Sequence, residues 1–476
     1  MQKGDSRGDY EKNRMFVMRI YICVLLLSLI VVIPLVLGMA SPVNMIDDSE
    51  RNAVIRIETE PNLEIREGYA SQKDETVLVK KGRKTIACIH LSDPVMVAQA
   101  EKEERWGYFQ FPTIFRDENG NLVVEWQMND DSYLAYGKGS RGCYMSNDEG
   151  KTWVPLERSV FSRGRRRLEY PNGNVLQQRT PAAMDVNSFD HFPKRVNEET
   201  INGFDFYPEK DLPEDLRGIY LMLWDNNNRQ ISYIHASIND PKLLRSAING
   251  KMPVVWWGDM RLLSDNTILA GVYGGYYENN KGKPLRSSVS FYKSNDSGGH
   301  WDIVGTIPFQ PDQTGDYNSL TFDGEDGFTE PAFEVLKDSS LLCVMRSGST
   351  TPMYRSFSKD MGKTWSKPEP FTPNGVMPLL LTLDNGVLVM ASGRPGMQLR
   401  FSLEGDGKNW TEPIEMLPFM EDDGKYNEWG TTCGYPSVLK VSPNKFYIVY
   451  SDFKTKNNDG YFRKSIIFRT IEINRN

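Results

Sequence analysis

The sequence predicts an all-β fold, a six-bladed β-propeller, and three observations carry that expectation. The first is a repeated turn. Ser146-Asp148-Gly150-Trp153, Ser294-Asp296-Gly298-Trp301 and Ser358-Asp360-Gly362-Trp365 are perfect instances of Ser-x-Asp-x-Gly-x-x-Trp. A looser copy runs from Ser402 through Asp406 and Gly407 to Trp410. The second is a run of short apolar segments bounded by Asp, Asn or Gly, such as Leu122 to Trp126, Ile219 to Trp224 and Ser340 to Met345. The third is a phrase that precedes each box, an apolar residue, a polar turn and a strand. Examples are Leu263 to Ile268, Leu336 to Leu341 and Leu383 to Val387. Repetition on this scale is the mark of a propeller or array.

Each part of the box has a physical task. Ser and Asp side chains satisfy backbone N–H groups, Gly takes a conformation other residues resist, and Trp fills the apolar space behind the turn. Turn, strand, strand, box and strand make one four-stranded blade. Such blades centre near residues 108–160, 255–308, 328–372, 374–415 and 430–472, with Leu439 to Phe446 opening the last. Strands at 219–236 supply a blade without a box, and 160–215 reads as a long insertion. Pro213 to Arg217 is long enough for one helical turn.

Residues 1–40 form a separate segment. Ile20 to Ala40 carries no charge, follows Lys3, Arg7, Lys12, Arg14 and Arg19, and ends in Leu37-Gly38-Met39-Ala40. Small residues at that exit fit a cleaved signal peptide, while the length also fits a retained membrane anchor. Either way the rest of the chain is expected outside the cytoplasm, in the periplasm, the extracellular space or at the cell surface. Residues 41–100 are expected to hold strands that pair with the last blade and close the ring, and 101–476 the propeller.

Without the first forty residues, 51 Lys and Arg face 60 Asp and Glu, a net charge of −9. That balance argues against nucleic acid as a partner. A membrane contact is expected only through an uncleaved N-terminal anchor. Cys88, Cys143, Cys343 and Cys433 are scattered, so buried free thiols are expected rather than a zinc site or a disulfide framework. Nothing calls for a metal or an organic cofactor.

The box Asp residues are expected to be structural, so chemistry must come from strand ends near the axis. There the chain resembles the sialidase (neuraminidase) superfamily, six-bladed propellers carrying Asp-boxes, also called BNR repeats. The resemblance covers about residues 105–470 and lacks a counterpart for 160–215. Glu330-Pro331-Ala332-Phe333 leads to Arg346 and then to the box at Ser358, similar to the family's Glu-then-Arg order. Arg394 precedes Ser402 as a further clamp arginine does, and Gly434-Tyr435-Pro436-Ser437 resembles the family's tyrosine segment.

The resemblance implies an exo-acting glycoside hydrolase that releases sialic acid or a related 2-keto sugar acid with retention, through a tyrosyl intermediate. A neutral Tyr avoids the repulsion an Asp or Glu nucleophile would meet from the substrate carboxylate. By resemblance Tyr435 is the nucleophile and Glu330 its base, while Arg346 and Arg394 grip the carboxylate through paired N–H donors. The acid/base is expected at Asp131 or Asp130. Two departures stand out. Gln110, in Phe109-Gln110-Phe111-Pro112, takes the place of the first clamp arginine, and Gln127 takes that of another family arginine. Arg105, Arg116 or Arg141 are candidates to substitute in space. Two other readings stay open: a non-catalytic carbohydrate-binding or interaction propeller, and a hydrolase of a different glycosidic substrate. Trp256, Trp257, Tyr273, Tyr276 and Tyr277 gather around one blade, where aromatic faces suit either sugar rings or a core.

Overall fold

The computed structural model describes residues 56–59, 74–137, 139–156, 167–201, 203–227, 229–309, 327–348, 351–394, 396–418 and 431–476. The segment expected to be a signal peptide or anchor, residues 1–40, lies outside them, as do residues 163–166 of a basic run at 163–167. The chain is all-β, with 54% strand and 3% helix.

Antiparallel four-stranded units follow one another along the chain. The first comprises Tyr108–Arg116, Leu122–Met128, Arg141–Ser146 and Val154–Pro155. The second comprises Arg167–Glu169, Val175–Arg179, Ile219–Trp224 and Gln230–Asn239. The third comprises Trp257–Leu262, Ile268–Tyr273, Val289–Ser294 and His300–Ile307. The outer strands of these two units meet in parallel from Ser237 to Asn239, which joins them into one eight-stranded sheet. The fourth holds Thr329–Val335, Leu341–Arg346, Met353–Ser358 and Glu369–Thr372. The fifth holds Val376–Thr382, Leu388–Gly393, Met397–Ser402 and Ile414–Leu417. In the last sheet, Ser437–Ser442, Lys445–Lys456 and Phe462–Arg475 are joined by Lys84–Leu91 and Val95–Gln99, which pair along the C-terminal strand.

Neighbouring units pack face to face, and the sequence shows why. In Leu341–Arg346, Leu341, Cys343 and Met345 join the cluster of Phe291 and Phe333, against the third unit. The alternate residues Leu342 and Val344 join Leu388 and Met390 of the fifth. A strand buried on both faces must be apolar at every position, so these runs do not alternate. Val389 and Phe401 pack with Phe446 and Ile448 of the last sheet, whose Val449 and Phe468 pack in turn with Ile114 and Val124 of the first unit.

The stretch expected as one insertion at 160–215 divides in two. Arg167–Glu169 and Val175–Arg179 belong to the second unit, where Leu168 and Leu176 pack with Ile219 and Leu221. Met184–Asp185 and Phe204–Pro208 instead join Leu244–Ile248 and Lys251–Met252 in a separate four-stranded sheet. Beside it, Glu214–Leu216 forms a single 3-10 turn.

The boxes close the third strands of their units. In the first, the Ser146 hydroxyl donates to Asp148 at 2.7 Å and accepts the Gly150 N–H at 2.8 Å. Asp148 also accepts from the Thr152 N–H and hydroxyl, and the Trp153 indole donates to the Gly150 carbonyl at 3.1 Å. The loose copy keeps this pattern, with Asp406 accepting from Ser402 and Trp410 donating to Gly407. Gly150, Gly298 and Gly362 have φ of 85°, 99° and 89°, in the left-handed region glycine tolerates. Because third strands run antiparallel to second strands, each box lies at the opposite end of its sheet from Arg346 or Gly393.

Candidate functional site

The other end of the sheets gathers the polar groups. There the first strand of a unit begins and the second ends: Gln110 pairs with Gln127, Thr329 with Arg346, and Val376 with Gly393. The ladder is bulged just inside each of these positions, between Gln110 and Thr113, Thr329 and Ala332, and Val376 and Leu379. Bulges of this kind re-aim side chains. Phe111, Glu330 and Met377 have φ of 52°, 48° and 43°, and each precedes a proline, which disfavours compact conformations. A repeated strained position of this sort costs about 1–3 kcal/mol and is a pointer to function.

Glu330 is the hub. Its Oε1 accepts from the Tyr435 hydroxyl in a short hydrogen bond and from Arg346 Nη1 at 2.8 Å. Its Oε2 accepts the Met377 N–H at 2.8 Å. Arg346 Nη1 also lies 3.3 Å from the Tyr435 hydroxyl, and its Nε donates to the Gly348 carbonyl at 3.1 Å. Only 7% of the Glu330 side chain is exposed. Burial pushes its carboxyl up, but the Arg346 charge, the Tyr435 hydroxyl and Arg394 together hold it below the usual carboxylate range. Burial and the Glu330 charge push the Tyr435 phenol far above its ordinary value. Burial alone would lower Arg346, yet Glu330 and Tyr435 keep it above its usual value. The trio is therefore a carboxylate, a guanidinium and a neutral phenol whose proton points at the carboxylate.

Arg394 reaches the same place from the fifth unit. It has φ 54°, its Nε donates to the Cys433 carbonyl at 3.1 Å, and its guanidinium lies 5.6 Å from the centre of the Tyr435 ring. Two glycines allow the approach. A Cβ on Gly393 would sit 2.1 Å from the Gly434 Cα, and Gly434 itself has φ 78°. Phe111 meets the Tyr435 ring edge to face at 4.8 Å. Glu330, Arg346, Arg394 and Tyr435, from three units, are thus brought together.

The remaining candidates fall in different places. Asp131 lies at an exposed loop position and its Oδ2 accepts the Trp106 indole N–H at 3.0 Å. The surrounding protein displaces water and raises its carboxyl, against the lowering effects of Trp106 and Arg394. Asp130 pairs with Arg105 at 2.9 Å, both well exposed. Gln127 donates to the Asn129 carbonyl at 3.0 Å, so it shapes the Asp130–Asp131 loop. Gln110, expected as a substrate-binding residue, is fully buried, with its Oε1 accepting the Gly107 N–H and its Nε2 lacking a partner. The bulge turns it inward. Each of the expected substitutes is held in an ion pair of its own. Arg116 pairs with Glu149 at the box end, Arg141 pairs with Glu125, and Arg105 pairs with Asp130.

Trp106 was not anticipated from sequence. Its indole holds Asp131, and its ring lies 5.5 Å from the Arg394 guanidinium and meets Phe453 edge to face. Buried Lys464 supports this loop by donating to the Arg105 carbonyl at 2.7 Å, and burial lowers it to about 8. The Trp106-Gly107 pair was the available signal, since a Cβ on Gly107 would lie 2.3 Å from the Asn129 carbonyl.

Residues 258–448 match the family model of the BNR repeat-like domain. No protein of curated function matches the chain. Among solved structures, a protein of unknown function from Dyadobacter fermentans is similar at TM-score 0.57 and 16% identity, covering 81% of this chain and 99% of its own. That likeness shows a shared fold. The Hadza microbial sialidase aligns at TM-score 0.46 and 14% identity over 86% of this chain and 74% of its own. A Trypanosoma rangeli sialidase aligns at 0.41 and 14%, over 78% of this chain, which spans 58% of that protein. Residues 258–448 are thus similar to a BNR repeat-like domain, and the Dyadobacter fermentans structure adds a likeness of fold.

Proposed function

We propose that this chain is an exported exo-acting glycoside hydrolase of sialidase type, which releases a terminal acidic sugar with retention of configuration. In this reading the four-stranded units close as six blades of a propeller, and the site sits at the axis. The observation that carries the reading is the contact of Glu330 and Arg346, of the fourth unit, with Tyr435, which precedes the last sheet's Ser437–Ser442, in one buried hydrogen-bonded group.

Arg346 and Arg394 bind the carboxylate of a 2-keto sugar acid. The Tyr435 oxygen attacks the anomeric carbon as Glu330 takes the phenolic proton. Asp131, its carboxyl raised toward the protonated form, gives its proton to the departing glycosidic oxygen. In the second half Asp131 removes a proton from water, water attacks the anomeric carbon, and Tyr435 leaves and recovers its proton from Glu330. Keeping the phenol neutral until attack avoids repulsion with the substrate carboxylate. Asp130, paired with Arg105, is the alternative acid.

A second reading is favoured by one observation. With Gln110 buried, the anion is gripped by two arginines beside the Trp106 ring, which suits an acidic sugar other than sialic acid. The net charge disfavours nucleic acid, and membrane contact is assigned only to an uncleaved N-terminal segment. The test is incubation of the purified chain with a fluorogenic sialoside and a panel of other acidic glycosides, each repeated with Tyr435→Phe. Release from at least one substrate, lost in the variant, supports the mechanism. No release from any, or undiminished release by Tyr435→Phe, overturns it in favour of a binding propeller.

A further inference from the structure

A fully buried lysine is rare, because the ammonium gives up its water and must find partners in return. Lys464 is such a residue. It lies on the C-terminal strand Phe462–Arg475, opposite a bulge between Asp452 and Thr455, and bulges re-aim side chains. Its Nζ donates to the Arg105 carbonyl at 2.7 Å and to the Tyr108 carbonyl at 3.4 Å, so it holds the backbone on both sides of Trp106-Gly107. The same ammonium lies 4.5 Å from the centre of the Phe453 ring and 5.9 Å from that of Trp106.

The two residues it brackets both touch the Asp131 loop. The Trp106 indole donates to Asp131 Oδ2 at 3.0 Å. Gly107, at φ 97°, packs so closely that an added Cβ would lie 2.7 Å from the Asp131 nitrogen. The Arg105 side chain is committed elsewhere, to Asp130. A methionine of similar length would fill the volume of Lys464 but could donate to neither carbonyl. The two arginines of the proposed clamp are anchored separately. Glu330 and the Gly348 carbonyl hold Arg346, and the Cys433 carbonyl holds Arg394.

We propose that Lys464 is a positioning residue for Asp131: its ammonium fixes the turn at 105–108, and through Trp106 and Gly107 that turn holds the Asp131 carboxyl in place. Lys464 touches no substrate. Its effect falls on proton delivery and spares anion binding, because the arginines have supports of their own. A general acid works only within hydrogen-bond reach of the oxygen it protonates, so a turn that slips costs rate before it costs affinity. The role of Asp131 as acid rests on the proposed glycosidase reading, but the link from Lys464 to Asp131 can be measured without turnover.

The experiment uses the full chain labelled with 5-fluorotryptophan, the Trp106 fluorine signal being the one that Trp106→Phe removes. Asp131→Asn is expected to shift this signal in the unaltered chain, and the shift should fall to about half or less in Lys464→Met. Lys464→Gln replaces Lys464→Met should that variant not fold. A shift of the same size with and without the ammonium, or no shift in either, overturns the proposal. The kinetic arm compares two glycosides of whichever acidic sugar the chain hydrolyses. An alkyl leaving group needs a proton as its bond breaks, whereas 4-nitrophenolate leaves without one. Lys464→Met should lower kcat/KM about tenfold or more on the alkyl glycoside and less than about threefold on the nitrophenyl one. An equal loss on both marks Lys464 as merely structural and overturns the proposal. Should no glycoside be hydrolysed, the glycosidase reading fails and the fluorine signal alone decides the positioning role.

Discussion

Replacing Arg346 by Met tests the electrostatics of the site without any substrate. Met keeps much of the arginine stem and removes the charge that faces Glu330 at 2.8 Å. Glu330 then remains as a 7% exposed carboxylate with the Tyr435 hydroxyl, the Met377 N–H and the weaker effect of the Arg394 charge to stabilise it. Removing one partner of a buried ion pair costs about 3–5 kcal/mol, because the other charge is left desolvated. In the unaltered protein the folded Glu330 titrates below its ordinary value. Its contribution is present above the unfolded value of about 4.3 and disappears only as pH falls through the lower folded value. In Arg346→Met burial is no longer opposed by that cation, so the folded value rises above the unfolded one. The penalty is then full at high pH and is relieved as pH falls and Glu330 takes a proton. Urea unfolding followed by tryptophan fluorescence, at several pH values between about 8 and 5, should show the difference from the unaltered chain shrinking on acidification. Glu330→Gln added to Arg346→Met should recover about 1–3 kcal/mol at pH 8. A penalty that grows on acidification, or a double variant no more stable than Arg346→Met, would refute this account.

Other outcomes follow from the same geometry. Tyr435→Phe should lower hydrolysis of an aryl sialoside about a thousandfold or more, while stability changes by only about 1–2 kcal/mol. Trp106→Phe removes the N–H that helps keep the Asp131 carboxyl from rising further. The high-pH limb of the rate profile, where the acid form is lost, should therefore move upward, and a purely structural role for Trp106 would leave it in place. Asp148 and Asp360 are held at about 2 by the threonine and serine donors of their boxes. The stability difference between Asp360→Asn and the unaltered chain should be constant above about pH 4 and vanish as pH falls through about 2. Gln110→Leu loses one hydrogen bond but also removes an unpaired buried N–H group, so its cost in urea unfolding should be below that of Arg346→Met, about 2 kcal/mol or less.

The boxes were legible because their hydrogen bonds are local. Ser146, Asp148, Gly150 and Trp153 satisfy one another within a single turn, so residue type and spacing report the geometry directly. The short strands of the second unit were not. Arg167–Glu169 and Val175–Arg179 carry few apolar residues, and their place beside Ile219–Trp224 is set by pairing across the intervening stretch of chain at 184–216. Gln110 shows the same limit in the site. Its position in the motif was plain, but the bulge that buries it depends on how Gly107 packs against the Asn129 loop.

Sequence alone determined the all-β class, the turn chemistry of the boxes and the identity of Glu330, Arg346, Arg394 and Tyr435 as residues to watch. The first two rest on local spacing and turn chemistry, and the four residues on the resemblance to the sialidase superfamily. Tertiary structure alone decided that those four converge, that Trp106 stands beside Arg394, and that Trp256 enters the core. Each of those outcomes depends on contacts between units far apart in the chain. A strand does not encode which partner its ends will meet until packing has fixed the register.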